Sequence, residues 1–233
     1  MAGAQETIVT RHYFKSGSGF FVNLQGQVVT NAHVLSKDCT KVEIRAQGQS
    51  YPAQIVAYDE KRDLAVVQSH TYPGPSPLAV RDSAQPAREG EAALALGFPG
   101  DAATRDELRI APSKIISGDT KTQDRADHYV TFTTSVAQGN SGGPLVDESG
   151  NVLGVVRGTG QSYSYNPATA KIFDTKDLDF AIGTRTLQQF LDENRISYQT
   201  RQSNTRWDKD LIRVRLLASV PNVRCYLSAP PPQ

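Results

Sequence analysis

In Gly139-Asn140-Ser141-Gly142-Gly143-Pro144-Leu145 a serine stands among residues with little or no side-chain bulk. A nucleophilic serine needs such neighbours, because backbone N–H groups before and at the serine must converge on a developing oxyanion. The same residues could form a glycine-rich turn around an ordinary serine. A serine at its free pKa is a poor nucleophile, so the choice rests on whether the chain also supplies a general base and a group to orient it.

The histidines are His12, His33, His70 and His128. His33 lies in Val28-Val29-Thr30-Asn31-Ala32-His33-Val34-Leu35, at the end of an apolar strand where a side chain can be held at the edge of a cleft. The others sit in polar or proline-rich surroundings and read as surface histidines. The orienting carboxylate should be shielded from water. Asp63 precedes the apolar run Leu64-Ala65-Val66-Val67, whereas Asp59 and Asp82 lie in turn-like contexts. Chain order then separates folds. Gly139 to Gly143 also fits the G-x-S-x-G elbow of α/β-hydrolases, in which the histidine follows the serine, but every histidine here precedes Ser141. The subtilisin order needs an acid before the histidine, and no aspartate precedes His33. Only the order histidine, aspartate, serine, that of chymotrypsin-type peptidases, accommodates His33, Asp63 and Ser141 together.

The surrounding pattern is all-β. Residues 7 to 183 read as short strands between turn signals. Residues 19–24 and 27–30 flank Gln25-Gly26 as a hairpin, and 42–46, 54–58 and 63–67 complete a first group. A Pro/Gly-dense connection begins at Tyr72-Pro73-Gly74-Pro75 and runs on in polar residues to Glu91. The second group comprises 92–97, 114–117, 129–136, 144–147, 152–157 and 179–182. Alternation of Val130, Phe132, Thr134 and Val136 predicts one buried face. Leu187, Phe190 and Leu191 recur at helical spacing, with Thr186 and Gln189 as a capping box. After Ile196 comes a polar segment, then strand-like stretches from Leu211 to Leu227, then Ala229-Pro230-Pro231-Pro232-Gln233, which resembles a linker.

Composition narrows the function classes. A chain of 233 residues can bury a sizeable core. With 25 Lys plus Arg against 24 Asp plus Glu, the overall charge does not favour nucleic acid or anionic lipid. No run approaches the 18 or more apolar residues that a membrane span requires. Cys39 and Cys225 fit neither C-x-x-C nor zinc spacing, and read as a pair or as two unrelated thiols. Met1 to Glu6 has no basic start and no apolar core, so no signal peptide is expected.

Taken together, the motifs resemble the trypsin-like superfamily, most closely its HtrA (DegP/DegS-like) branch. Ser16-Gly17-Ser18-Gly19-Phe20, Thr30-Asn31-Ala32-His33-Val34, Arg62-Asp63-Leu64-Ala65-Val66, Gly97-Phe98-Pro99-Gly100, the Ser141 motif and Asp179-Phe180-Ala181-Ile182 occur in the family's order. The resemblance covers roughly residues 8 to 196. It implies two six-stranded antiparallel β-barrels, residues 1–85 and 86–196, forming one protease domain that closes with a C-terminal helix. Residues 197–233 are left as a tail or accessory segment that packs on the barrels, recruits a partner or leads to a further domain. The resemblance implies a serine endopeptidase acting on proteins or peptides with neither metal nor cofactor. Its oxyanion hole would be formed at Gly139, Asn140 and Ser141. The specificity pocket would have its base near Ser135 and Val136 and a wall at Val155, Val156, Arg157 and Gly158. With no aspartate at the pocket base, small or medium apolar P1 residues are expected; Arg157 would instead favour an acidic one. Asn140 stands where classical trypsins carry the aspartate that receives a new N-terminus, so zymogen activation by that route is not expected. No PDZ domain is recognisable after residue 196, so chaperone duties are not implied. Loops 101–112 and 158–174 are candidates for the elements that order the oxyanion hole in this branch. The branch also implies a homo-oligomer, with Tyr13 and Phe14 read as the aromatic segment of its trimers or as core residues, and it favours a periplasmic or secreted location.

Overall fold

Consecutive apolar residues in the first half of the chain face two different cores. Phe21, Val28, Ala65 and Val67 enter one apolar cluster, while their neighbours Phe20, Val29, Leu64 and Val66 enter another. Side chains alternate across a strand, so an unbroken run of Val and Leu marks a strand buried on both faces. Each such side chain contributes about 1.5–3 kcal/mol of burial free energy.

The computed structural model describes residues 13–100, 107–121, 128–133, 140–159, 164–166, 171–173, 178–204, 206 and 208–228. Its first strands are β1 (Tyr13–Ser18), β2 (Phe20–Phe21), β3 (Gln27–Thr30), β4 (Cys39–Ala46), β5 (Gln49–Asp59), β6 (Leu64–Gln68) and β7 (Val80–Arg81). Then come β8 (Ala92–Gly97), β9 (Arg109–Lys121), β10 (His128–Thr133), β11 (Pro144–Asp147), β12 (Val152–Thr159), β13 (Ser164–Asn166), β14 (Lys171–Phe173) and β15 (Asp179–Gly183). Helix α1 (Thr184–Glu193), β16 (Thr200–Arg201), α2 (Lys209–Ser219) and β17 (Asn222–Leu227) complete the chain.

The all-β, trypsin-like expectation holds. Strands β8, β9, β10, β15, β12 and β11 pair in sequence, and β11 pairs back to β8, closing a six-stranded antiparallel barrel. Short parallel strands extend it, β7 on β12 and β16 on β7. The other unit is a curled seven-stranded sheet in the order β1-β17-β4-β5-β6-β3-β2. It is not the six-stranded barrel expected, because β17 arrives from the end of the chain and lies between β1 and β4. Cys225 on β17 is disulfide-bonded to Cys39 on β4, with a Cα–Cα distance of 5.3 Å.

Three apolar clusters order the architecture. One fills the first sheet, with Val42, Ile44, Val223 and Cys225 among its members, and one fills the closed barrel around Ile115, Val130, Phe132, Leu145 and Leu153. The largest lies between the units and is sealed by Leu187, Phe190 and Leu191 of α1 and Ile212 and Leu216 of α2.

Several local expectations change. Tyr129 to Phe132 are buried on both faces of β10, because Val130 and Phe132 enter the barrel and Tyr129 enters the inter-unit cluster; Thr134 and Val136 lie outside the described residues. Helix α1 is capped at Gly183 with no side-chain bond, and Thr186 Oγ1 instead accepts the His128 N–H at 3.1 Å, so the capping box does not form. Residues 209–219 are a helix, not strand. Ile212, Leu216 and Val220 are buried at four-residue spacing, and Pro221 prevents the helix continuing. Residues 109–112 belong to β9, not to a loop.

Candidate active site

Thr30 ends β3, and one turn of 3-10 helix over Ala32–Val34 follows, lifting His33 out of the sheet at the rim of a cleft between the two units. Asp63 stands in the turn just before the return strand β6 with φ of 56°, a left-handed conformation that aspartate tolerates better than most side chains. Asp59 Oδ1 supports the turn before it by accepting the N–H groups of Lys61 and Arg62 at 2.9 and 3.0 Å. Asn31 Nδ2 donates to the Asp63 carbonyl at 2.9 Å, fastening the two turns together.

The Asp63 carboxylate thereby reaches the imidazole. His33 Nδ1 lies 2.8 Å from Asp63 Oδ2 and 3.0 Å from Oδ1, and Oδ1 also accepts the His33 backbone N–H at 3.0 Å. A third group completes the set: Arg157 Nε on β12 donates to Oδ2 at 2.9 Å. Asp63 is 5% exposed, and burial pushes its carboxyl up. The His33 imidazole and backbone N–H and the Arg157 guanidinium outweigh burial, holding the group below the ordinary carboxylate range. The His33 side chain is 49% exposed, so its far ring nitrogen is open to the cleft.

The Ser141 turn is built by close packing that only glycine permits. Gly142 has φ of 86°, and a Cβ there would come within 2.2 Å of the Ser18 carbonyl oxygen and 2.4 Å of Thr30 Oγ1. The Ser141 carbonyl accepts the Ser18 N–H at 2.8 Å, and the Val156 carbonyl accepts the Gly142 N–H at 2.8 Å. The two turns meet across β1: a Cβ on Gly17 would lie 2.4 Å from Val34 Cγ2 and 3.0 Å from the Ser141 carbonyl oxygen. Ser141 Oγ donates to the Arg157 carbonyl at 3.2 Å. Among the described residues that is its hydrogen-bond partner, and the hydroxyl is not bonded to the imidazole. Arg157 therefore touches both ends of the site, by its carbonyl at Ser141 and by its guanidinium at Asp63.

The cleft has a volume of about 860 Å³ and is lined by His33, Asp63, Arg157, Gly158, Tyr129 and Phe180, with Lys15, Lys37, Asp38, Tyr58 and Glu60 around the His33 side. Asn140 is buried, and the Val156 side chain points into the closed barrel, not the cleft. Gly139, Ser135 and Val136 lie outside the described residues, as do 101–106, 160–163, 167–170 and 174 of the two expected loops. The sequence reading missed the link from Arg157 to Asp63. Residues 94 apart in the chain carry no local signal of contact. Among the described residues no group of His, Cys, Asp and Glu has the arrangement to hold a metal ion.

Residues 17–155 match the family described as trypsin-like peptidase domain, and the chain belongs to that family. It is 31% identical over 205 residues to serine protease HTRA1 of Xenopus tropicalis, covering 87% of this chain and 41% of that protein. It is 37% identical over 149 residues to serine protease Rv3671c of Mycobacterium tuberculosis, covering 61% of this chain and 36% of the relative. The crystal structure of that protease in its active form superposes with a TM-score of 0.63 at 27% identity, covering 78% of this chain and 75% of the other. The chain spans less than half the length of these curated relatives.

Proposed function

We propose that this chain is a serine endopeptidase in which His33, Asp63 and Ser141 form the catalytic triad. The observation that carries the reading is the clamp of Asp63 on His33 Nδ1 at 2.8 Å, with the other face of the imidazole exposed beside the glycine-built Ser141 turn. Ser141 Oγ turns from the Arg157 carbonyl toward His33 Nε2, which takes its proton as the oxygen attacks a substrate carbonyl. Asp63 keeps Nδ1 protonated and stabilises the imidazolium. The backbone N–H groups of Gly139 and Ser141, on either side of Asn140, receive the oxyanion; each such donor contributes about 2.7–4 kcal/mol to the transition state. His33 then protonates the leaving amine and draws a proton from the water that hydrolyses the acyl-enzyme.

Ser135, Val136 and the wall at Arg157 and Gly158 form the specificity pocket in this reading, which accepts small or medium apolar P1 residues. Residues 1–85 and 86–196 act as one protease domain in this reading, and 197–233 completes it by inserting β17 between β1 and β4 and laying α2 on the inter-unit core. The Cys39–Cys225 disulfide favours a periplasmic or secreted setting, where such bonds persist.

The test is casein digestion with mass-spectrometric mapping of the cut sites, alongside a fluorophosphonate probe. Native protein cleaves casein and is labelled at Ser141, whereas Ser141→Ala does neither and keeps its circular dichroism. Cleavage that survives in Ser141→Ala, or cuts concentrated after Arg or Lys, would remove the nucleophile assignment or the pocket assignment respectively.

A further inference from the structure

An arginine bonded directly to the carboxylate that orients the base is the least expected feature of the site. Asp63 Oδ2 receives two donors, His33 Nδ1 at 2.8 Å and Arg157 Nε at 2.9 Å. The negative charge that would favour an imidazolium is therefore shared with a permanent cation. The other charged or titratable groups lining the cleft are Lys15, Lys37, Asp38, Glu60, Tyr58 and Tyr129, the charged ones of mixed sign. Arg157 alone among the cleft cations contacts the carboxylate itself. Its terminal nitrogens have no partner among the described residues, and its side chain is 40% exposed to the cleft.

We infer that Arg157 is a positioning residue that holds Asp63 against His33 and offsets its charge, so that the base stays neutral and competent at a pH lower than an uncompensated His–Asp pair allows. The inference rests on the triad assigned above. Arg157 acts through Asp63 and not by touching the reacting atoms. The contact costs little flexibility, because the residue is already held by its backbone: its carbonyl accepts Ser141 Oγ, and it sits in a bulge whose flanking residues Val156 and Gly158 pair with Ala181 and Phe180 of β15. Replacing the side chain leaves that carbonyl in place, so the electrostatic role can be separated from the wall.

The experiment follows the His33 imidazole by NMR as a function of pH in Ser141→Ala protein, with Arg157→Gln, Arg157→Met and Arg157→Lys added in turn. Removing the cation moves the imidazole titration of Arg157→Gln and Arg157→Met to higher pH by about one unit, a tenfold change in proton affinity, and Lys restores most of it. With Ser141 intact, the acid limb of kcat/KM moves upward by the same interval. A purely structural Arg157 would lower activity with no displacement of either curve, and that outcome, or a displacement to lower pH, overturns the inference. Two neutral variants guard against one of them failing to fold. The titration is read without turnover, so it stands apart from the peptidase reading: absence of fluorophosphonate labelling at Ser141 would defeat that reading and leave the imidazole result intact.

Discussion

Asp63 and Asp147 are two buried carboxylates, 5% and 2% exposed, each with an arginine nearby, and they behave oppositely. Asp147 ends β11 of the closed barrel and accepts the N–H groups of Ser149 and Asn151 at 2.8 and 3.0 Å and the Ser203 hydroxyl. Burial raises its carboxyl above the ordinary range, and neutral donors together with the charge of Arg81 do not reverse the effect. Arg81 Nη1 stands 3.6 Å away and is committed to Glu91. At Asp63 the donors include an imidazole and a guanidinium in direct contact, and the shift is downward. Burial sets the cost of the charge, and contact with charged donors decides whether it is met. One aspartate is equipped to stay ionised beside an imidazole. The other anchors the chain after α1 to the barrel through Ser203, which also receives Asn151 Nδ2 and donates its N–H to Gln85.

The widest separation between the two should appear in activity. Asp63→Asn removes the charge that holds and stabilises the imidazolium, and kcat falls by about three to four orders of magnitude. Asp147→Asn keeps kcat/KM within about twofold of native protein. Steady-state kinetics on a mapped casein peptide checks both; a large loss in Asp147→Asn would mean that the barrel anchor also shapes the site.

A smaller contrast lies in the arginines. Arg81 is almost fully buried, and Arg81→Met strands Glu91 and Asp147 without their cation. Urea unfolding should show a loss of about 3 kcal/mol. Arg157 is 40% exposed, and Arg157→Met should cost less than about 1 kcal/mol while it changes the pH profile. Equal losses would show that the ion pair at Asp63 is a structural brace like the one at Asp147.

How far these features were legible in the sequence depends on how local their causes are. The Ser141 turn was readable because the glycines stand in the motif itself, although the atoms that exclude a side chain there, the Ser18 carbonyl at Gly142 and the Leu96 carbonyl at Gly143, come from elsewhere in the chain. His33 and Asp63 were readable because each stands beside an apolar strand that enters the core, and the structure brings their side chains together. Helix α1 was legible from Leu187, Phe190 and Leu191, all buried as the spacing implied. Helix α2 was not, because Val214 and Leu217 are exposed apolar residues that obscure the four-residue rhythm of Ile212, Leu216 and Val220. The insertion of β17 between β1 and β4, the pairing of Cys39 with Cys225 and the reach of Arg157 to Asp63 all join residues far apart in the chain. No periodicity encodes such contacts; the first two form only when the chain's end returns to the first sheet, and the third only when the two units have packed.

The finest discrimination between the carboxylates is the pH dependence of stability. The ordinary aspartate value is 3.8, and Asp63 lies below it in the folded protein. Its contribution is therefore complete above 3.8 and disappears as pH falls through the lower folded value. Asp147 lies above 3.8, so the folded state takes up a proton before the unfolded chain does. Stability gained from that uptake is absent at neutral pH, grows as pH falls through the raised value and is complete below 3.8. Urea midpoints measured from neutral to acid pH should thus give native-minus-Asp63→Asn differences that shrink toward acid and native-minus-Asp147→Asn differences that grow. Each slope is bounded by about 1.4 kcal/mol per pH unit for one proton. An Asp63→Asn difference that grew toward acid would mean that the imidazole and guanidinium touching the carboxylate do not outweigh its burial.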